Sequence, residues 1–207
     1  MATSEGTREV GRSTREEIMD AALEVFAAQT FAGARVPGIA KHAGVAQGTL
    51  YRYWPSKEAL ANDVYGNAKR VFLTYLRRSM PTTLPADEAE MRALFDILWR
   101  NLTDFAEEQT LMLIFLEHQQ HAPFLDQNAL DITREVEEFA HGLVRAGQRL
   151  GLFPPVNPQL LRLMVFGSYV GLSKGRTAGY SPSREEMIIA RDALWALLTH
   201  GSPYAGT

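Results

Sequence analysis

Apolar side chains return every three or four positions along almost the whole chain, and no stretch alternates with the period of two that a strand requires. Ser13 followed by Glu16 has the form of a capping box, and Ile18, Ala22, Val25 and Phe26 then make one stripe to about Gln29. A short helix is predicted after Pro37, ending at Gly44, and another over residues 47–53. Pro55 and Ser56 restart the chain, and a long helix is predicted over 57–79. Two prolines within 80–85 break it. Asp87 with Glu90 opens the next helix, whose stripe is Met91, Leu94, Phe95, Leu98, Leu102 and Phe105. A more apolar helix is predicted over 111–120, and a long one from Pro123 to about Leu150. Asn157 and Pro158 open another that ends within 175–179, and Ser183 with Glu186 opens the last, which fades at Gly201. The prediction is an all-α chain, three short helices ahead of a six-helix body.

Composition narrows the setting. A 46% hydrophobic and 22% charged chain is ordinary for a globular protein. With no cysteine, disulfides and thiolate metal sites are excluded, and a reducing compartment is the natural one. Residues 1–12 are polar, with Glu5, Arg8, Glu9 and Arg12, so a disordered arm is expected there, not a signal peptide. The best membrane candidate, 160–172, is too short and contains Arg162. A net charge of −3 does not by itself suggest a nucleic-acid partner, but its distribution does. Residues 30–57 carry Arg35, Lys41, Arg52 and Lys57 and no acidic residue, whereas the acidic excess follows residue 60. That suits a protein touching DNA with one end only.

Residues 36–54 read as a helix-turn-helix. Ala40 is small where two crossing helices would touch, Gly44 suits a tight turn, and Ile39, Val45 and Leu50 lie underneath. Gln47, Thr49, Tyr51 and Arg52 remain outward on the second helix, with Gly48 letting a backbone come close. These polar types suit base edges and phosphates.

The strings Thr14-Arg15-Glu16-Glu17-Ile18, Ala21-Ala22-Leu23, Phe26, Val36, Ile39-Ala40, Ala43-Gly44-Val45, Gly48-Thr49-Leu50-Tyr51-Arg52-Tyr53 and Pro55-Ser56-Lys57-Glu58-Ala59-Leu60 carry a resemblance. Residues 14–65 resemble the DNA-binding domain of the tetracycline-repressor (TetR/AcrR) family of bacterial transcription regulators. The resemblance implies a cytoplasmic homodimer, a palindromic double-stranded operator and a small-molecule effector. It implies a helix-turn-helix domain at 13–60 and a ligand-binding and dimerisation bundle at 61–207. Tyr51, Thr49 and Lys57 would then touch DNA, mostly its backbone. Tyr53 is expected in the core of the small domain.

The chain departs from the family pattern at several places. Thr30 stands near a usual glycine, and Ala34 and Arg35 fill the stretch where a Thr or Ser usually caps the second helix. Arg35 would offer a phosphate a charged contact, and Gln47, at an often basic position, suits adenine. Trp54 replaces the common Phe.

In the body, Gly167, Gly171 and Gly175 recur every four residues and leave one flat helix face. The family pairs its last two helices with their symmetry mates, which places Gly167, Gly171, Ile189, Ala193, Leu194 and Leu197 at a dimer interface. The family's pocket lies between the middle helices. The expected lining is Phe95, Trp99, Leu102, Phe105, Met112 and Phe115, with His118, Phe139, Leu143, Met164 and Tyr169. His118 and His121 lie three apart beside Glu117 and Gln119, but no third histidine or matched carboxylate completes a metal site, and no metal or cofactor is expected. An enzyme is the competing class. No Ser-His-Asp context, Gly-rich cofactor loop or HExxH helix supports it. The remaining alternative is a DNA-binding regulator that needs no ligand.

Overall fold

The computed structural model describes residues 13–119, 122–177 and 179–200, and every regular element among them is a helix. The expected N-terminal arm at 1–12, His121, and the expected helix ends at Gln120 and Gly201 lie outside the described residues.

Helix α1 (Thr14–Gly33) starts at the anticipated capping box: the Ser13 hydroxyl accepts from the Glu16 N–H at 3.3 Å, and the Ser13 N–H donates to the Glu16 carboxylate at 2.8 Å. It runs past Gln29 because the chain resumes helical form after one irregular residue, Thr30, at φ 61° and ψ 166°. Helix α2 (Val36–His42) takes in Val36 ahead of Pro37, whose fixed φ suits a first turn. Gly44, at φ 67°, makes the turn, and the Val45 N–H returns to the Ala40 carbonyl at 3.0 Å. Helix α3 (Gln47–Tyr53) follows.

Helix α4 (Lys57–Arg77) stops two residues short of the predicted end, and Ser79 turns at φ 57°. The buried Asn101 amide caps that end, donating to the carbonyls of Leu76 at 3.3 Å and Arg78 at 2.7 Å. Helix α5 (Glu88–Glu108) has the expected Asp87 cap. Helices α6 (Thr110–Gln119) and α7 (Gln127–Arg149) follow. Helix α7 starts later than Pro123 because Asp126, not the proline, supplies the cap, accepting from the Ala129 N–H at 2.9 Å. Helix α8 (Pro158–Thr177) begins after Asn157, and α9 (Arg184–His200) after the Ser183–Glu186 capping box.

By packing, the chain forms two compact units. The first holds the described residues up to Ala68 together with those of Leu111–Ala129. In its core Phe26 of α1 stacks on Phe115 of α6 at 5.7 Å, and Tyr65 of α4 meets Phe115 edge-on at 6.4 Å. All three rings are fully buried, so α6 helps to build the unit that carries α1–α3. The second unit holds residues 69–110 and the described residues from Leu130 onward. Phe72 and Tyr75 pack on Phe105, and Trp195 of α9 packs between Phe95 and Phe153. Arg92 of α5 ion-pairs with Asp192 of α9 and lies over Trp195, fastening these two helices. The boundary expected after residue 60 falls inside α4.

Candidate nucleic-acid interface

Helices α2 and α3 cross with Ile39, Ala40 and Leu50 buried between them and the rest of the first unit. Their burial leaves Gln47, Gly48, Tyr51 and Arg52 exposed on α3, with Thr49 half-buried. A Cβ added at Gly48 would meet nothing within 4 Å, so the backbone there is open to close approach. Arg35 is exposed at the start of α2, and its side chain makes no capping hydrogen bond. The exposed Lys41 adds to the positive edge. A polar, positively charged face without acidic residues is therefore presented by two short helices held on a buried aliphatic base.

One core assignment is corrected. Tyr53 is 44% exposed, because Trp54 takes the inner position and is 3% exposed. The Trp54 indole N–H donates to the Asp63 carboxylate at 2.8 Å, and Arg15 of α1 ion-pairs with that carboxylate and lies over the indole. A bulky aromatic with an N–H to satisfy thus recruits an acid from α4 and a base from α1. Glu24 of α1 meets His42 of α2 at 2.6 Å, a second link from α1 to the reading helices.

Lys57, expected to face a phosphate, directs its ammonium at α1. It donates to the carbonyls of Phe31 at 2.9 Å and Ala34 at 3.1 Å, and lies 4.1 Å from the centroid of the Phe31 ring. Next to it the Glu58 carboxyl is held below the ordinary carboxylate range, by its own backbone N–H first and then by the Ser56 hydroxyl, with the Lys57 charge adding. Asp63 and Phe31 were not singled out from the sequence; contacts made 26 or 48 positions apart leave no periodic trace.

The expected pocket residues divide between the units. Met112, Phe115 and His118 belong to the first, and the others to the second. Phe95, Trp99, Leu102, Phe105 and Tyr169 are buried, whereas Phe139, Leu143 and Met164 are half-buried. Beside Tyr169 is a cavity of about 10 Å³ lined by residues of α5, α8 and α9, room for one water at most. His118 is exposed, and no group of three metal-binding side chains exists among the described residues. Nor is any described helix long and apolar enough to cross a membrane.

Of the expected dimer residues, Gly167, Gly171, Ile189, Ala193 and Leu197 are exposed, and Leu194 is buried within its own chain. Leu160 and Leu163 extend the α8 face as exposed residues two turns and one turn before Gly167, respectively. Their spacing of three and four was the signal that could have found them.

Comparison with known proteins agrees with this geometry. The family model described as "Bacterial regulatory proteins, tetR family" matches residues 18–64, and that described as "Tetracyclin repressor-like, C-terminal domain" matches residues 71–198. The Fatty acid metabolism regulator protein of Bacillus subtilis is 27% identical, covering 73% of this chain and 77% of the relative. The HTH-type transcriptional regulator RutR of Escherichia coli is 29% identical, covering 74% and 71% respectively. Among solved structures, a tetR family transcription regulator from Shewanella superposes with a TM-score of 0.73 at 25% identity, over 92% of this chain and 98% of that one. The regulator FadR of Bacillus subtilis, solved with stearoyl-CoA, superposes with a TM-score of 0.68 at 20% identity, over 90% and 98%.

Proposed function

The chain belongs to the tetR family of bacterial regulatory proteins and is a DNA-binding transcriptional regulator, and from that premise we propose that it is a cytoplasmic, homodimeric repressor released from a palindromic operator by a small, largely apolar ligand. One observation carries the reading: α3 exposes Gln47, Tyr51 and Arg52 on one polar face while Leu50 anchors it from below. A recognition helix needs both, an inner side that fixes its pose and an outer side that reaches the major groove. Gln47, at the first turn, reads a base edge. Arg35 and Arg52 neutralise phosphates, Thr49 and Tyr51 position the backbone, and Gly48 allows close approach. The bonds from Lys57 to α1 favour a positioning role for it, setting the turn from which α2 departs.

Dimerisation rests on α8 and α9, where Leu160, Leu163, Gly167 and Gly171 are exposed along one helix and Ile189, Ala193 and Leu197 along the other. Exposed apolar stripes of this extent favour a partner surface. The ligand would enter the aromatic interior around Phe95, Trp99, Leu102, Phe105 and Tyr169. Those side chains are packed, so a ligand there must select an opened form. A tenfold loss of operator affinity then requires about 1.4 kcal/mol of differential binding.

Salt titration of DNA binding tests the interface. Affinity should fall with a log–log slope of about −0.9 per phosphate neutralised. Arg52→Ala should flatten that slope by about one unit for every sequence, whereas Gln47→Ala should relax preference at one base pair per half-site and leave the slope alone. A slope near zero in the parent protein would remove this face from the DNA.

A further inference from the structure

Asn101 is 1% exposed within the second unit. Its amide nitrogen donates to the carbonyls of Leu76 at 3.3 Å and Arg78 at 2.7 Å, and this fixes which end of the carboxamide is the oxygen. A flipped side chain would set oxygen against two carbonyls. The oxygen itself is buried and accepts no hydrogen bond among the described residues. Leu94, two turns before Asn101, and Phe105, one turn after it, share its face of α5, and both are buried. Phe105 packs in turn on Phe72 and Tyr75 of α4. The unmet acceptor thus belongs to the aromatic interior and not to the surface.

A buried carbonyl oxygen left without a donor is unfavourable and uncommon. It is matched by an occupant that brings a donor, and charge decides which donor. The carbonyls at the end of α4 make this spot negative, so an anionic oxygen is disfavoured there. Lys69, the unit's one buried charge among the described residues, lies about 10 Å before Leu76 along α4 and does not offset an anion here. No Asp or Glu is buried among those residues, so a cation would be left without a counter-charge. On the premise, given above, that an apolar ligand enters this interior, we propose that its polar end is a single neutral donor, a hydroxyl or N–H, which donates to the Asn101 oxygen. Leu94 and Phe105 receive the apolar body, and Asn101 sets the specificity for the polar end. The same side chain caps α4, so the occupant lies one hydrogen bond from the end of the helix that begins at Lys57.

The test uses the full chain and a matched pair of probes, 1-heptanol and 1-methoxyhexane, equal in heavy atoms and differing in the donor. Burial alone favours the ether, which is the less hydrated of the two. In calorimetry 1-heptanol should saturate at one site per chain and bind about tenfold more tightly than the ether, the difference one hydrogen bond makes. Asn101→Leu should abolish that preference. Because the variant also removes the α4 cap, a second measurement keeps the parent chain. With carbon-13-labelled asparagine, the Asn101 Cγ resonance should move downfield with 1-heptanol and stay in place with the ether. Equal binding of alcohol and ether, as a trapped water already on the oxygen would produce, overturns the assignment and leaves an apolar-ligand site standing. So does an unmoved Cγ resonance at saturation, or a preference that survives in Asn101→Leu. Binding of neither probe overturns the apolar-ligand reading along with it.

Discussion

The ammonium of Lys57 lies 4.1 Å from the centroid of the Phe31 ring and donates to the Phe31 carbonyl at 2.9 Å. Helix α1 has no basic residue in its own last turn, so its terminal carbonyls are met by a cation from the first residue of α4. A positive charge at a helix C-terminus opposes the dipole and satisfies carbonyls that lack an intrahelical partner. Helix α2 departs two residues after Ala34, so the pose of the reading helices is set in part by this contact.

Removing that contact should be felt as stability before it is felt as charge. Lys57→Ala is expected to lower the unfolding free energy by about 1–2 kcal/mol, the range of hydrogen bonds to a charged group together with an exposed cation–π contact. Urea denaturation checks this. The salt slope of DNA binding should remain near that of the parent; a slope flatter by about one unit would make Lys57 a phosphate partner instead.

Thr30 holds φ 61° and ψ 166°, a region that is comfortable only for glycine. The β-branched side chain makes the strain worse. Thr30→Gly should therefore stabilise the protein by about 1–2 kcal/mol, after allowing for the greater freedom glycine gives the unfolded chain. Thr30→Val should show no such gain. A lower urea midpoint for the glycine variant would show that the threonine side chain contributes more than its backbone strain removes.

Asp63 serves two partners at once, the indole N–H of Trp54 and the guanidinium of Arg15. Asp63→Ala leaves a buried N–H unmet and should cost about 1–3 kcal/mol, measured as a shift in the denaturation midpoint. Arg15→Ala should cost less, because that ion pair is largely exposed. Equal losses would place the energy in the ion pair and not in the indole bond.

What could be read from the chain, and what could not, separates along the range of the forces. Capping boxes at Ser13 and Ser183 and the Asp87 cap are local chemistry, and the structure places all three helix starts where the sequence did. The outward face of α3 was legible because Leu50 fixes the phase of a short helix. The exchange of Tyr53 and Trp54 was not, since it depends on Asp63 and Arg15 converging from two other helices. Nor was the place of α6, whose Phe115 packs with Phe26 and Tyr65 in the first unit. Departure of Thr30 from a glycine position was visible, but its meaning needed the backbone angle.

The glycines of the body should respond in opposite ways. A Cβ at Gly147 would lie 2.2 Å from the Phe153 ring, so Gly147→Ala should destabilise the folded chain by about 1–3 kcal/mol through overpacking. A Cβ at Gly171 meets nothing within 4 Å of its own chain. Gly171→Leu should therefore leave the fold of one chain intact and separate the subunits in light scattering. A variant still dimeric at the parent's concentration dependence would move the interface off this face of α8.

The most direct test is to let the protein choose its DNA. Purified full-length chain is mixed with a library of random duplexes, and bound sequences are recovered over several rounds beside a Gln47→Ala control. The parent should enrich a near-palindrome whose half-sites lie about 34–36 Å apart, or a multiple of that, as two recognition helices on one face of the duplex demand. The control should keep the palindrome and lose preference at one position of each half-site. Recovery of no common sequence, or of an asymmetric one untouched by Gln47→Ala, would contradict a dimeric regulator reading DNA through α3.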